Sequence, residues 1–191
     1  MDEKCQQKEK NLLVFDGGLP AVDFPEDLHI HLGLPVIGIE PVDLLLHIVE
    51  LCIAEAEQAL QRDIRLSMEA GFNGARLHQK IFEERFLYHC DRMGYLVWGE
   101  QGNWGLDLSR PDGLKCFLPE WMEALDRDFN HPAIVGWCPF NETWDYEGRR
   151  QDNDLLAMVY RMTKLFDTTR PCIDTSGNYH VATDIYDMHD Y

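Results

Sequence analysis

From about residue 55 onward, apolar positions alternate between a helical and a strand-like rhythm, and this predicts a series of helix–strand units. Residues 55–70 carry Ala56, Ala59, Leu60, Ile64, Leu66 and Met68 at roughly helical spacing, with Gly71 as a C-cap. A short strand is predicted over 74–77, and a helix over 82–93 with Phe82, Phe86, Leu87 and Cys90 on one face and Gly94 ending it. Tyr95 to Trp98 reads as a strand, residues 99–118 as a long loop rich in Gly, Trp and Asp, and Pro119 as the opening of a helix that runs to about Phe129. Ala133 to Trp137 is a nearly unbroken apolar run, as expected of a strand covered on both faces. A helix over 155–166 and strands over 170–174 and 184–189 complete the series. Repeated βα units imply a parallel sheet, and long loops after the strand C-termini favour a (β/α) barrel with its active face there.

Residues 1–54 fit this rhythm less well and form an atypical N-terminal segment, either a remnant or an altered first βα unit. Within it Leu12 to Phe15 reads as a strand and Pro41 to Ile53 as a helix, separated by a stretch punctuated by Gly and Pro. The barrel-like domain is assigned to residues 55–191.

Composition narrows the function classes. The chain of 191 residues is 45% hydrophobic and 27% charged, ordinary for a globular protein. Its net charge of −17 comes without a basic cluster, which argues against nucleic acid and anionic membranes as partners. No signal-like start is visible, and the six cysteines are widely spaced in mostly apolar contexts, so reduced buried thiols and a cytoplasmic location are expected. His29-Ile30-His31 lacks a third ligand and reads as two loop histidines rather than a metal site.

The chemistry concentrates where the apolar run of 133–137 ends, in Asn141-Glu142. A carboxylate at the top of a parallel strand is where barrel enzymes build their active sites. Three blocks in order extend the pattern. They are Gly71-Phe72-Asn73-Gly74-Ala75-Arg76-Leu77-His78, then Cys90-Asp91-Arg92-Met93-Gly94-Tyr95-Leu96-Val97-Trp98-Gly99-Glu100, then Arg127-Asp128-Phe129-Asn130-His131-Pro132 leading into Trp137 and Asn141-Glu142. Together they resemble the catalytic barrel of glycoside hydrolase family 2, the β-galactosidase and β-glucuronidase group.

The resemblance implies hydrolysis of β-linked carbohydrates by a retaining mechanism with Glu142 as general acid/base. It implies that Asn141 hydrogen-bonds the sugar 2-hydroxyl and that Arg76 and His78, ending the second barrel strand, line the sugar subsite. Tyr191 falls where the family has a sixth-strand Tyr. Beside it, Trp104 and Trp144 lie in loops where an indole can stack on a sugar, while Glu100, Asp187 and His189 end predicted strands facing the pocket. Asn130 and His131 read as organisers of the turn into the catalytic strand.

Departures from the family pattern sharpen this picture. Phe140 precedes Asn141 where many members have Gly, narrowing the space beside the acid. The family's Mg-binding Glu-x-His pair is replaced by Gln101-Gly102-Asn103-Trp104, so neither a metal nor any other cofactor is expected. The family's seventh-strand nucleophile has no counterpart, and the predicted fold is a partial (β/α)8 TIM barrel lacking its last βα units. The expectation is therefore a glycosidase catalytic domain, completed by a homo-oligomer or by a partner that supplies the missing strands. The alternative is a remnant that binds carbohydrate without hydrolysing it.

Overall fold

The computed structural model describes residues 41–190, with side chains from Leu45 onward. The chain divides into two compact units, residues 1–52 and 53–191. Of the first, only its helical residues from Pro41 onward are described; His29, His31 and the strand expected at 12–15 lie outside the described residues, as does Tyr191.

Helix α1, Pro41–Glu69, runs as one element through the two segments expected separately. No Gly or Pro interrupts it after Pro41, so nothing breaks its hydrogen-bond ladder before Gly71 at φ +95°. Strand β1 (Gly74–Arg76), helix α2 (Glu84–Met93) and strand β2 (Leu96–Glu100) follow. Next come a 3₁₀ turn (Pro111–Gly113), helix α3 (Leu114–Asp128), strands β3 (Ile134–Cys138) and β4 (Phe140–Asn141), helix α4 (Asn153–Phe166) and strand β5 (Thr175–Ser176). No helix among the described residues is long and apolar enough to cross a membrane.

The strands β1, β2 and β3 form a parallel sheet in that order, and β4 pairs with β5, also in parallel. A parallel bridge between Trp137 and Cys172 carries the pairing from β3 to the segment leading into β5. Four neighbouring chain segments thus run in one direction, and their C-terminal ends gather Arg76, Glu100, Asn141-Glu142 and Ser176.

Two tryptophans lock the sheet. Trp98 on β2 pairs in register with Gly136 on β3, and Gly99 pairs with Trp137. A Cβ on Gly136 would stand 2.1 Å from the Trp98 ring, and one on Gly99 would stand 2.5 Å from the Trp137 ring. Each indole occupies the space that a neighbouring side chain would need. Below the sheet, buried Trp121 and Trp137 meet edge to face at 5.9 Å between ring centroids. Their buried N–H groups are satisfied, Trp121 by Thr163 Oγ1 at 2.8 Å and Trp137 by Asp167 Oδ2 at 2.9 Å.

The opposite ends of the strands are tied by polar contacts. Asp91 accepts from His131 Nδ1 at 2.6 Å and from the Ala133 amide at 2.8 Å, and Arg170 donates to the carbonyls of Ile134 and His131. His131 therefore organises the entry to β3, away from Glu142.

Four expectations change. The strand expected over 170–174 is reduced to a single bridge at Cys172, and the paired strand is Thr175–Ser176. The loop expected over 99–118 ends early, because Leu114, Phe117, Trp121 and Leu125 make one buried helical stripe and Pro119 lies inside α3. Residues 184–189 form no strand. They are held beside β5 mainly through side chains, with Asp184 accepting from the Cys172 amide at 2.9 Å and Asp187 from the Gly177 amide at 3.0 Å. Among the cysteines, Cys90, Cys138 and Cys172 are buried free thiols, but Cys52 is exposed and Cys116 is disulfide-bonded.

Candidate active site

The site begins with Arg76 at the end of β1. Its guanidinium meets the Glu100 carboxylate through Nε at 2.6 Å and Nη2 at 3.1 Å, a bidentate fork. Glu100 is fully buried at the end of β2 and also accepts from the Gln79 amide at 2.8 Å, with His78 Nδ1 at 3.4 Å. Burial opposes the Arg76 charge, but the hydrogen bond and charge of Glu100 outweigh it and hold the guanidinium pKa above its ordinary value. From this position Arg76 donates to Asn141 Oδ1 and reaches His189 Nε2 at 3.0 Å. Arg76 thus fixes the orientation of the Asn141 side chain.

Glu142 follows Asn141 with a positive φ of +38°. A non-glycine residue pays strain in that region, and such strain gathers at functional sites. The Glu142 amide donates to the Ser176 carbonyl at 2.8 Å, which anchors the turn to β5. Its carboxylate, about one-fifth exposed, is hydrogen-bonded through Oε1 to His189 Nδ1.

Behind His189 lies a polar cluster. Ser176 Oγ donates to Asp187 Oδ2 at 2.6 Å and lies 3.2 Å from His189 Nε2. The buried ring of His180 bridges Asp174 Oδ1 at 2.8 Å and the Asp187 carbonyl at 2.7 Å. Burial pulls the His180 pKa down, but the hydrogen bonds to Asp174 and Asp187 and their charges raise it above the usual value. Burial likewise disfavours the Asp187 charge, and the bonds from Ser176 and Gly177 with the neighbouring histidines lower its pKa nonetheless.

Two loops wall the other side of Glu142. Asn103, after β2, grips the Asn141 backbone twice: its Nδ2 donates to the Asn141 carbonyl and its Oδ1 accepts from the Asn141 amide, both at 2.9 Å. Gln79 Oε1 in turn accepts from the Asn103 amide at 2.9 Å. Between these loops opens a cleft of about 130 Å³ lined by Asn103, Trp104, Leu108, Glu142, Trp144 and Tyr146, among others.

Against this geometry stand the proteins this chain resembles. Residues 53–189 match the model of the glycosyl hydrolases family 2 TIM barrel domain. The chain belongs to glycoside hydrolase family 2. The β-glucuronidase of Chlorocebus aethiops is 32% identical over 124 residues, covering 63% of this chain and 19% of that protein. "Beta-galactosidase 2" of Enterobacter cloacae is 30% identical over 179 residues, covering 89% of this chain and 16% of that protein. Among solved structures, Parabacteroides merdae β-glucuronidase superposes with a TM-score of 0.54 at 26% identity, covering 61% of this chain and 15% of that one. A family 2 member from Bacteroides cellulosilyticus gives 0.52 at 27%, covering 63% and 16%. The chain thus spans less than a fifth of the length of these relatives. Its fold is a partial TIM barrel.

In this family 2 barrel, the described residues singled out from the sequence fall into two groups. Arg76, His78, Glu100, Asn141, Glu142 and His189 form one connected polar constellation, joined through Ser176 to Asp187. Glu100, expected to end its strand facing the pocket, is instead buried and enclosed by its bonds to Arg76 and the Gln79 amide. Trp104 and Trp144 stand exposed at the cleft. Phe140 does not narrow the space beside the acid; it is buried and stacked on Phe117 at 4.7 Å between centroids.

Asn103, Ser176, Gln79 and His180 were not singled out, because each acts through partners that only the fold brings beside it. The one hint was Asn103 itself, in the stretch that replaces the family's metal-binding pair. That replacement does not suit a metal: the Asn103 amide is committed to Asn141, and no group of three or more His, Cys, Asp or Glu among the described residues could hold an ion.

Proposed function

We propose that this family 2 barrel supplies the acid/base side of a retaining β-glycosidase site, with carbohydrate as its substrate. The carrying observation is Glu142 held at the strand ends on a strained backbone, beside an Asn141 whose side chain Arg76 orients. In this reading Glu142 gives its proton to the glycosidic oxygen as the C1–O bond breaks, while a second carboxylate takes C1 to form a glycosyl-enzyme. Glu142 then removes a proton from the water that attacks C1, which releases the second carboxylate. Asn141 donates to the sugar 2-hydroxyl, a contact that strengthens as charge develops on the ring.

The second carboxylate must lie about 5–5.5 Å from the first and be free to attack. Glu100 and Asp187 are near but committed, one to Arg76 and the Gln79 amide, the other to Ser176 and the Gly177 amide. The reading therefore places the nucleophile outside the described residues, on a further barrel strand or on a partner chain.

The test is turnover of β-glycosides by the 191-residue chain, with Glu142→Gln in parallel. The substitution is expected to lower the rate by about 10²–10⁴-fold, the range for a lost general acid. The loss should be greatest for alkyl glycosides, whose leaving groups need the proton most. Equal rates for the two proteins would remove Glu142 from the mechanism. Absence of turnover in both, with both folded, would make the chain either a catalytic piece that needs its nucleophile from elsewhere or the sugar-binding alternative.

A further inference from the structure

Two indoles stand in solvent at the mouth of the cleft beside Glu142. Trp104 is 85% exposed and Trp144 61% exposed, whereas Trp121 and Trp137 are each 1% exposed. Leaving so much apolar ring in water is unfavourable, and exposed aromatic surface around a cleft marks a binding site.

Neither indole rides on a loose loop. Trp104 follows Asn103, whose amide and side chain make three hydrogen bonds to Gln79 and Asn141, and the Leu106 amide closes the turn on the Asn103 carbonyl at 3.1 Å. Trp144 lies between buried Thr143 and Asp145, which accepts from the Gln151 amide at 3.0 Å. Its ring meets Tyr179 edge to face at 6.3 Å. Both backbones are fixed, so little ordering entropy remains to be lost when a ligand stacks on the rings.

The chemistry of the walls selects the ligand. Among the described residues, Glu142 and Asp145 are the charged ones lining the cleft, and no Lys or Arg lines it. An anionic ligand would meet like charge at Glu142 and Asp145, because the nearest cations, Arg76 and Arg149, are already paired with Glu100 and Asp107. A ring with one apolar C–H face and a rim of hydroxyls matches two indoles set among amide and carboxylate groups.

We propose that this cleft is the leaving-group subsite, and that Trp104 and Trp144 select a neutral sugar ring there, so that the preferred substrates are oligosaccharides rather than small alkyl or anionic glycosides. The inference rests on Glu142 being the acid, because the subsite is defined by its position beside that carboxyl group. It extends that reading by naming what occupies the far side of the scissile bond.

The experiment is calorimetric titration of the full chain carrying Glu142→Gln, which separates binding from turnover. Lactose and cellobiose are each compared with the matching methyl β-glycoside. At least one disaccharide is expected to bind about tenfold or more tightly than its methyl counterpart. Trp104→Ala and Trp144→Ala should each remove most of that advantage, and Trp104→Phe and Trp144→Phe should restore part of it. Equal affinities for disaccharide and methyl glycoside, an advantage that survives both alanine variants, or no binding of either sugar would each overturn the proposal. If turnover fails but the tryptophan-dependent preference remains, the glycosidase reading falls and the sugar subsite stands.

Discussion

The closer of two contacts selects the tautomer of His189, because Arg76 Nη1 lies 3.0 Å from its Nε2 and Ser176 Oγ 3.2 Å. Arginine has no acceptor, so the contact from Arg76 Nη1 requires His189 Nε2 to accept. The proton of the neutral ring then sits on Nδ1 and is donated to Glu142 Oε1. This leaves the other carboxyl oxygen of Glu142 to carry the catalytic proton, and it makes His189 a positioning residue. His189→Ala is expected to lower kcat about tenfold with little change in KM, in line with losing a hydrogen bond to a charged group. His189→Asn, which can place an N–H near Nδ1, should recover part of the loss; steady-state kinetics on both variants check this. An unchanged kcat in the alanine variant would show that the contact does not orient the acid. At this scale the sequence was legible where chemistry is intrinsic, as in Asn141-Glu142 and Arg76. It was opaque for Asn103 and Ser176, whose partners lie 38 and 11–13 positions away.

Among elements, the β2–β3 pair shows how little tolerance the sheet has. Replacing Gly136 with Ala would drive a methyl group against the Trp98 ring, with no side-chain end to swing aside. Gly136→Ala is expected to destabilise the fold by about 1–3 kcal/mol, the usual cost of overpacking. It should be read as a lower urea midpoint at unchanged slope. Repeating the substitution beside Trp98→Leu should recover much of the loss, because the smaller ring-free side chain vacates the contested space. Helical periodicity made α2 legible almost to its bounds, with Gly94 capping it at φ +70° as expected. The beginning of α3 was missed because Pro119 reads as a start signal, although Leu114 and Phe117 already continue the buried stripe N-terminal to it. The apolar residues of 184–189 suggested a strand, yet Tyr186 and Met188 are largely exposed and the segment is held by Asp184 and Asp187 instead.

For the molecule as a whole, buried charge sets the pH range of stability. Burial disfavours ionised Asp167, but bonds from Thr169, Trp137 and Arg170 prevail and hold its pKa well below the usual carboxylate value. Asp184 and Asp187 are lowered in the same sense. Unfolded Asp titrates near 3.9, so these groups stabilise the fold above about pH 4 and lose that effect as pH falls through their lower folded values. His180 has the opposite sign. Its folded pKa lies above the unfolded value of about 6.5, so its contribution is complete below that pH and fades as pH rises through the folded value. Urea midpoints measured from acid to mildly alkaline pH should therefore peak between about pH 4 and 6.5 from these groups. Asp167→Asn should flatten the acid limb and His180→Gln the alkaline one; limbs unchanged by the substitutions would assign the pH dependence to other groups. The barrel class was legible from alternating βα rhythm, but the two-sided anchoring of Asp167 was not, because it joins α4, β3 and the turn before β5.

The uneven burial of the five indoles also gives the protein two optical extremes, with half-buried Trp98 between them. Trp121 and Trp137, sealed in the core, should emit at short wavelength, while Trp104 and Trp144, standing in water, should emit to the red. Acrylamide should quench the red component first, whereas iodide would be held off by the net charge of −17. A sugar settling on the cleft would shield the red emission, and loss of the core would shift the blue. One emission spectrum can thus register occupancy and unfolding as separate signals.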